Sequence, residues 1–250
     1  MNFPDNSWPG VVRTTFRVLT FRASEDEMIN VGWRHLAFGL AWAWIAGIGR
    51  YWDNPRVGFW QHLGIGSVVY VFILAVFLWL VIWPLRPQHW TYFRVVAFIA
   101  MVSPPALIYA IPVERFYSID TANAINAMFL LIVAVWRVAL LFWFLHRVGR
   151  LPWHVVFVGA TLPLTFIVVA LTILNLEKVV FNLMGGITQP SGNDGAYHTL
   201  LYISLISVYL FFPLLIAYAT IAVIRITQAR RDRKVNELVN ESVPPNRSVA

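Results

Sequence analysis

Cysteine is missing altogether from this 250-residue chain. Its absence excludes a disulfide scaffold, a thiolate metal site and a cysteine nucleophile. Charge is scarce as well. Only 12% of residues are Asp, Glu, Lys or Arg, against about 25% in soluble proteins. With 59% hydrophobic residues and a mean hydropathy of +0.66, too little polar surface remains to face water on all sides. Lipid is therefore the expected solvent for much of the chain.

Reaction motifs are absent too. The six histidines, His35, His62, His89, His146, His154 and His198, include no i, i+4 pair and no H-E-x-x-H. Most fall at the ends of apolar segments, so neither haem nor any other cofactor or metal is expected. There is no phosphate-cradling Gly-rich loop with lysine and no pair of intramembrane aspartates. Gly64-Ile65-Gly66-Ser67 lacks the flanking glycine order and histidine partner of an intramembrane serine nucleophile. Its small residues suit close helix packing instead. Residues 1–26 hold no continuous apolar core, so no signal peptide is expected there.

What is present is a series of apolar runs. The pattern predicts an all-α, polytopic transmembrane bundle of about six proline-kinked spans, each near the roughly 20 residues needed to cross a bilayer. They cover Val31–Ile48, His62–Trp83, Phe93–Pro112, Ala122–Leu145, Leu151–Leu174 and Leu200–Ile224. Open strands are excluded because unpaired backbone groups are too costly in lipid. Kinks are expected at Pro104, Pro105, Pro163 and Pro213.

Three regions follow: a cytoplasmic or interfacial segment over 1–23, a helical membrane domain over 24–226, and a basic, partly disordered tail over 227–250. In the first, Trp8–Phe21 reads as an amphipathic helix at the membrane surface. Val12, Phe16 and Leu19 share one face, and Arg13 and Arg17 another. Ser24-Glu25-Asp26-Glu27 has the form of a capping box, which places the start of the first long helix at Ser24. In the tail, the charged run 228–239 can extend the last helix.

The net charge is +7. The cations sit beside apolar runs, which points to anionic lipid headgroups and topology rather than nucleic acid. Six spans put Arg13, Arg17, Arg22, Arg34, Arg86, Arg94, Arg147, Arg150, Arg225 and the run Arg230–Lys234 on one side. Arg50, Arg56, Arg115 and Lys178 fall on the other. The imbalance favours both ends in the cytoplasm, with a bacterial inner membrane as the expected location. Aromatics such as Trp42, Trp44, Trp60, Trp83, Trp90 and Trp153 fall near span ends, as interfacial belts do.

Two polar features stand out. One is a candidate cluster at the outer ends of the spans: Arg50, Asp53, Arg56, Glu114, Arg115, Asp120, Asn123, Asn126, Asn175 and Glu177. In it, Arg50 or Arg56 is expected to pair with Glu114, Asp120 or Glu177. The plain reading is a polar cap on the helix ends; the sharper one is a site for a solute, ion or protein. The other feature is Arg137, deep in the fourth span. An arginine at the bilayer centre costs about 2.5 kcal/mol or more. It either snorkels to the headgroups or bonds carbonyls freed by Pro104-Pro105 or Pro163.

Three functional classes fit. The first is a non-enzymatic scaffold or complex subunit acting through a protein partner or a second copy. The second is a small-solute or ion transporter using broken helices and Arg137. The third is a lipid-modifying enzyme built on the outer cluster.

Overall fold

The computed structural model describes residues 7–50, 58–176 and 194–242, without the side chains of 61, 114, 119, 120, 194–200, 233 and 236–242. All regular structure among the described residues is helical. The α-helices are α1 (Trp8–Leu19), α2 (Glu25–Ile29), α3 (Trp33–Gly49), α4 (Phe59–His62), α5 (Ile65–Ile82), α6 (Tyr92–Met101), α7 (Ile119–Arg147), α8 (Trp153–Ile173) and α9 (Asp194–Ser242). Short 3-10 segments cover Trp83–Leu85, Pro104–Ala110 and Val113–Arg115.

Four stretches are long and apolar enough to cross a membrane: Ile65–Leu85, Thr121–Arg147, Trp153–Ile173 and Leu201–Asp232. A fifth is added if α6 and Pro104–Ala110, bent by 41° at Val102-Ser103, form one broken span. These features suit an integral membrane protein. The first of the six expected spans, α3, has only 17 residues. That is about 25 Å of helix against a hydrocarbon core of about 30 Å.

The local signals explain the boundaries. The capping box is formed: Ser24 N donates to Glu27 Oε2 at 2.7 Å, and Glu27 N to Ser24 Oγ at 3.2 Å. It starts a five-residue helix, however, and not the first long one. Asn30 closes α2, and Gly32, with extended backbone, becomes the N-cap of α3. Glycine carries no side-chain cap; only the reverse bond of a capping box is made, with Gly32 N donating to His35 Nδ1 at 3.3 Å. The expected helix from Ser24 is therefore two helices.

Ser7 caps α1, accepting from Gly10 N at 3.3 Å. Gly10, Val11, Thr14, Thr15 and Val18 of α1 pack inward, while Trp8, Val12 and Phe16 face outward. The last turn is tied to α7, where Trp136 Nε1 donates to Leu19 O at 3.0 Å.

The core centres on α6, which is buried on every side from Val95 to Met101. A helix that is apolar all round belongs in such an interior. Phe98 stacks on Phe144 at 4.1 Å with planes 4° apart, and Trp90 lies 5.9 Å from Phe144, tilted by 43°.

Glycines let α3 approach its neighbours. A Cβ on Gly39 would lie 2.7 Å from both Ala100 O and Met101 N. One on Gly49 would lie 2.7 Å from Ala110 Cβ, so α3 runs parallel to α6 and the 3-10 segment after it. The start of α5 meets the end of α3: a Cβ on Gly64, which has φ +66°, would lie 2.7 Å from Ile48 N and Trp44 O. Ser67 packs on Gly47, whereas Gly66 faces open space.

Helix α9 packs chiefly on α8. Tyr218 Oη donates to Val81 O at 2.6 Å and Arg225 Nη1 to Leu85 O at 3.4 Å, fixing its second half beside the end of α5. Helix α8 passes through Pro163 and α9 through Pro213 without interruption. The helix continues beyond the expected span to Ser242, so Glu241 and Ser242 are helical.

Candidate functional site

Two polar regions occupy opposite ends of the bundle. The first is a clamp that ties the N-terminal helices to two inter-helix loops. Arg150 Nε donates to Glu25 Oε1 at 2.8 Å and its Nη2 to Oε2 at 3.1 Å. His89 Nε2 lies 3.8 Å from the same carboxylate. The paired contact with Glu25 raises the pKa of the Arg150 guanidinium above its already high value. Arg17 pairs with Glu27 at 2.7 Å. Arg94 donates from Nε to Ile29 O at 3.0 Å and from Nη1 to His89 O at 2.7 Å. Gln88 N donates to Gly149 O at 2.9 Å, joining the two loops directly. Phe21, Arg86, His89 and Arg150 all take positive φ here, which marks these reversals as tight. The clamp was missed from sequence. Its one available signal was charge: orientation already placed Glu25 and Arg150 on the same side.

The second region surrounds Arg137. The residues after Val102 leave the α-helical pattern because Pro104 and Pro105 lack N–H groups. Ala106 N turns instead to Ser103 O at 2.9 Å. That switch withdraws the helical donor from Val102 O, and Arg137 Nε supplies one at 3.3 Å. Arg137 is half-buried. Arg50, the C-cap of α3, holds its guanidinium 4.8 Å from the centre of the Tyr109 ring. This distance is within the range of a cation–π contact. Among the described residues, Arg50 Nε is buried without a hydrogen-bond acceptor.

The outer cluster read from sequence is only partly visible. Asp53, Arg56 and Glu177 lie outside the described residues, as do the side chains of Glu114 and Asp120. The expected pairing of Arg50 or Arg56 with those carboxylates lies outside them too. Arg115 ends a 3-10 turn. Asn126 is buried on α7 and Asn123 half-buried one turn before it; both have partners. Asn175 is exposed beyond α8 with φ +53°. The structure sets Arg50 over the ring of Tyr109, a residue that sequence reasoning did not single out. An interior tyrosine has no local signature to distinguish it from a belt aromatic.

No protein family matches the chain, and no curated protein or solved structure is significantly similar to it.

A groove of about 770 Å³ runs along α7 beside Trp153 and Phe21, lined by Val138, Phe142 and Trp143 and ending at His146 and Arg147. It is open and apolar, which suits an acyl chain. Among the described residues no group of three or more His, Asp or Glu could hold a metal ion.

Proposed function

We propose that this chain is a multi-pass membrane protein of non-enzymatic type, a scaffold or complex subunit that acts through a protein partner. The observation that carries the reading is the length of α9. Beside Arg225, α5 has ended, yet α9 continues over 226–242, about 25 Å of further helix. The described side chains there are largely exposed, including Val235 at 51%. Val235, Leu238 and Val239 recur at helical spacing among Arg230, Arg231, Arg233 and Lys234. A projecting helix with a narrow apolar stripe has the form of a helix recognised in a partner's groove.

The proposed arrangement has six spans, with the clamp on the cytoplasmic side. Glu25, the 86–91 loop and the 148–152 loop meet in one clamp. If α5 crosses the membrane and ends at that face, α3 must carry the chain to the opposite face first. Its parallel course beside α6 and its contact with the start of α5 support this. A helix of about 25 Å spans by local thinning and interfacial anchoring, at modest cost. The clamp face holds Arg17, Arg94 and Arg150, the cation excess expected of a cytoplasmic side. A bacterial inner membrane, with anionic headgroups around these flanks, is the proposed setting.

The test is purification in nanodiscs of the intact chain and of Val235→Asp/Leu238→Asp. The proposal requires a stoichiometric protein partner, or a second copy, with the intact chain and its loss with the variant. Recovery of a lone monomer in both cases rejects it.

A second reading, a path for a small solute or ion, is favoured by the 41° break beside Arg137. Discontinuous helices commonly frame such sites. It requires a cysteine placed at 137 to react with a water-borne maleimide.

A further inference from the structure

We propose that the groove along α7 seats one acyl chain of an anionic phospholipid, with the lipid phosphate on Arg147. The site requires α7 and α8 to cross the membrane and is independent of the partner reading above.

Helical spacing builds the groove. Two rows on α7, one from Ala134 to His146 and one from Val135 to Arg147, step by four residues and so share a face. Phe21 and Trp153 complete the lining. The turn that carries Phe21 is held to α7 by the bond from Trp136 Nε1 to Leu19 O. At the other wall, the His146 ring stacks on Trp153 with centroids 4.2 Å apart, and its Nδ1 lies 2.9 Å from Leu151 O. These contacts fix the polar end of the groove between the end of α7 and the start of α8.

Depth identifies the occupant. From Ala134 to Trp143 the lining on α7 is apolar, a rise of about 14 Å along the helix. That is close to half of a hydrocarbon core of about 30 Å, or one leaflet. His146 and Arg147 follow at the end of the apolar stretch Thr121–Arg147, and Trp153 opens the next one. The polar end therefore stands at headgroup level while the groove stops near mid-span. A partner's transmembrane helix would need a seat along the whole span, whereas a lipid chain needs one leaflet.

Charge selects the headgroup. Arg147 is exposed. Among the described residues no carboxylate pairs with it: the ion pairs found there are those of Arg17, His89 and Arg150. None of the lining residues is acidic. A guanidinium presents a fork of donors that matches phosphate oxygens. A choline or ammonium group finds no anion in the groove to face. A lipid of net negative charge thus fits the polar end better than a zwitterionic one.

The experiment places the full chain in nanodiscs of phosphatidylcholine with a minor share of phosphatidylglycerol. The protein is then extracted into mild detergent, and retained lipid is counted by native mass spectrometry. The expected result is one phosphatidylglycerol kept in preference to phosphatidylcholine. A diazirine-bearing acyl chain on that lipid should cross-link within 134–143. Arg147→Gln should lower the retention of phosphatidylglycerol about tenfold, the loss of one charge-assisted contact. Ala139→Trp, at an exposed position on the groove floor, should expel the chain of either lipid. Arg86→Gln removes an exposed charge that does not line the groove and should retain the lipid as wild type does. If either groove variant fails to fold, the cross-link and the wild-type preference still decide. An inserted chain that keeps both lipids equally, cross-links elsewhere, or holds phosphatidylglycerol unchanged in Arg147→Gln and Ala139→Trp overturns this proposal alone. A chain recovered outside the disc overturns the membrane reading with it.

Discussion

Replacing Gly39 with alanine adds one methyl group where α3 touches α6. The new Cβ would meet the carbonyl group of Ala100, with its oxygen at 2.7 Å, and Met101 N at 2.7 Å. Ordinary contact for such atoms begins at 3.4 Å. The atoms met are backbone, within a helix buried on all sides, so no rotamer change relieves the clash. The helices must separate by about 1 Å, and close-packed interiors resist such shifts at about 1–3 kcal/mol. With about 2–4 °C of Tm per kcal/mol for a chain of this size, Gly39→Ala should unfold several degrees early in detergent or nanodiscs. Gly66 is the internal control. It also lies in a helix, but a Cβ there meets nothing within 4 Å. Gly66→Ala should leave Tm unchanged or raise it, since alanine is the better helix former by about 1 kcal/mol. Equal Tm values for the two variants would refute the close approach of α3 and α6.

Further outcomes follow from named contacts. Phe144→Ala removes a ring that is 1% exposed and stacked on Phe98, and should destabilise the bundle by about 3 kcal/mol, read by thermal or SDS-induced unfolding. Phe142→Ala, on the groove side of the same helix, should cost much less. Glu25→Gln weakens the contact with Arg150. Because that pair is surface-exposed, Tm should hardly move, while hydrogen exchange over 22–30 and 86–91 should quicken. Tyr218→Phe deletes the bond to Val81 O and should increase cross-linking distances between α9 and α5 without unfolding the core.

Legibility in the sequence followed locality. The capping box at Ser24 and Glu27 was readable because its partners are three residues apart. The length of α2 was not, since Asn30 and Gly32 act as punctuation only once α3 packs beside α6. Pro104-Pro105 announced a break, because proline lacks the N–H that a helix requires there. Arg137 was conspicuous as a charge in an apolar run. Its acceptor, Val102 O, lies 35 residues away and becomes free only through the 3-10 turn that follows. Tyr109, under the Arg50 guanidinium, carried no signal at all, since an interfacial belt uses the same residue type. The clamp joins residues 125 apart in sequence, beyond the reach of any local pattern.

The most direct test of the arrangement uses what the chain lacks. With no native cysteine, single cysteines at Ser24, Gln88, Gly58 and Tyr117 can each be probed with a membrane-impermeant maleimide in intact and permeabilised cells. The account predicts that positions 58 and 117 react in intact cells, and that 24 and 88 react only after permeabilisation. Positions 58 and 88 reacting alike in intact cells would contradict it, because the chain would then not cross between them.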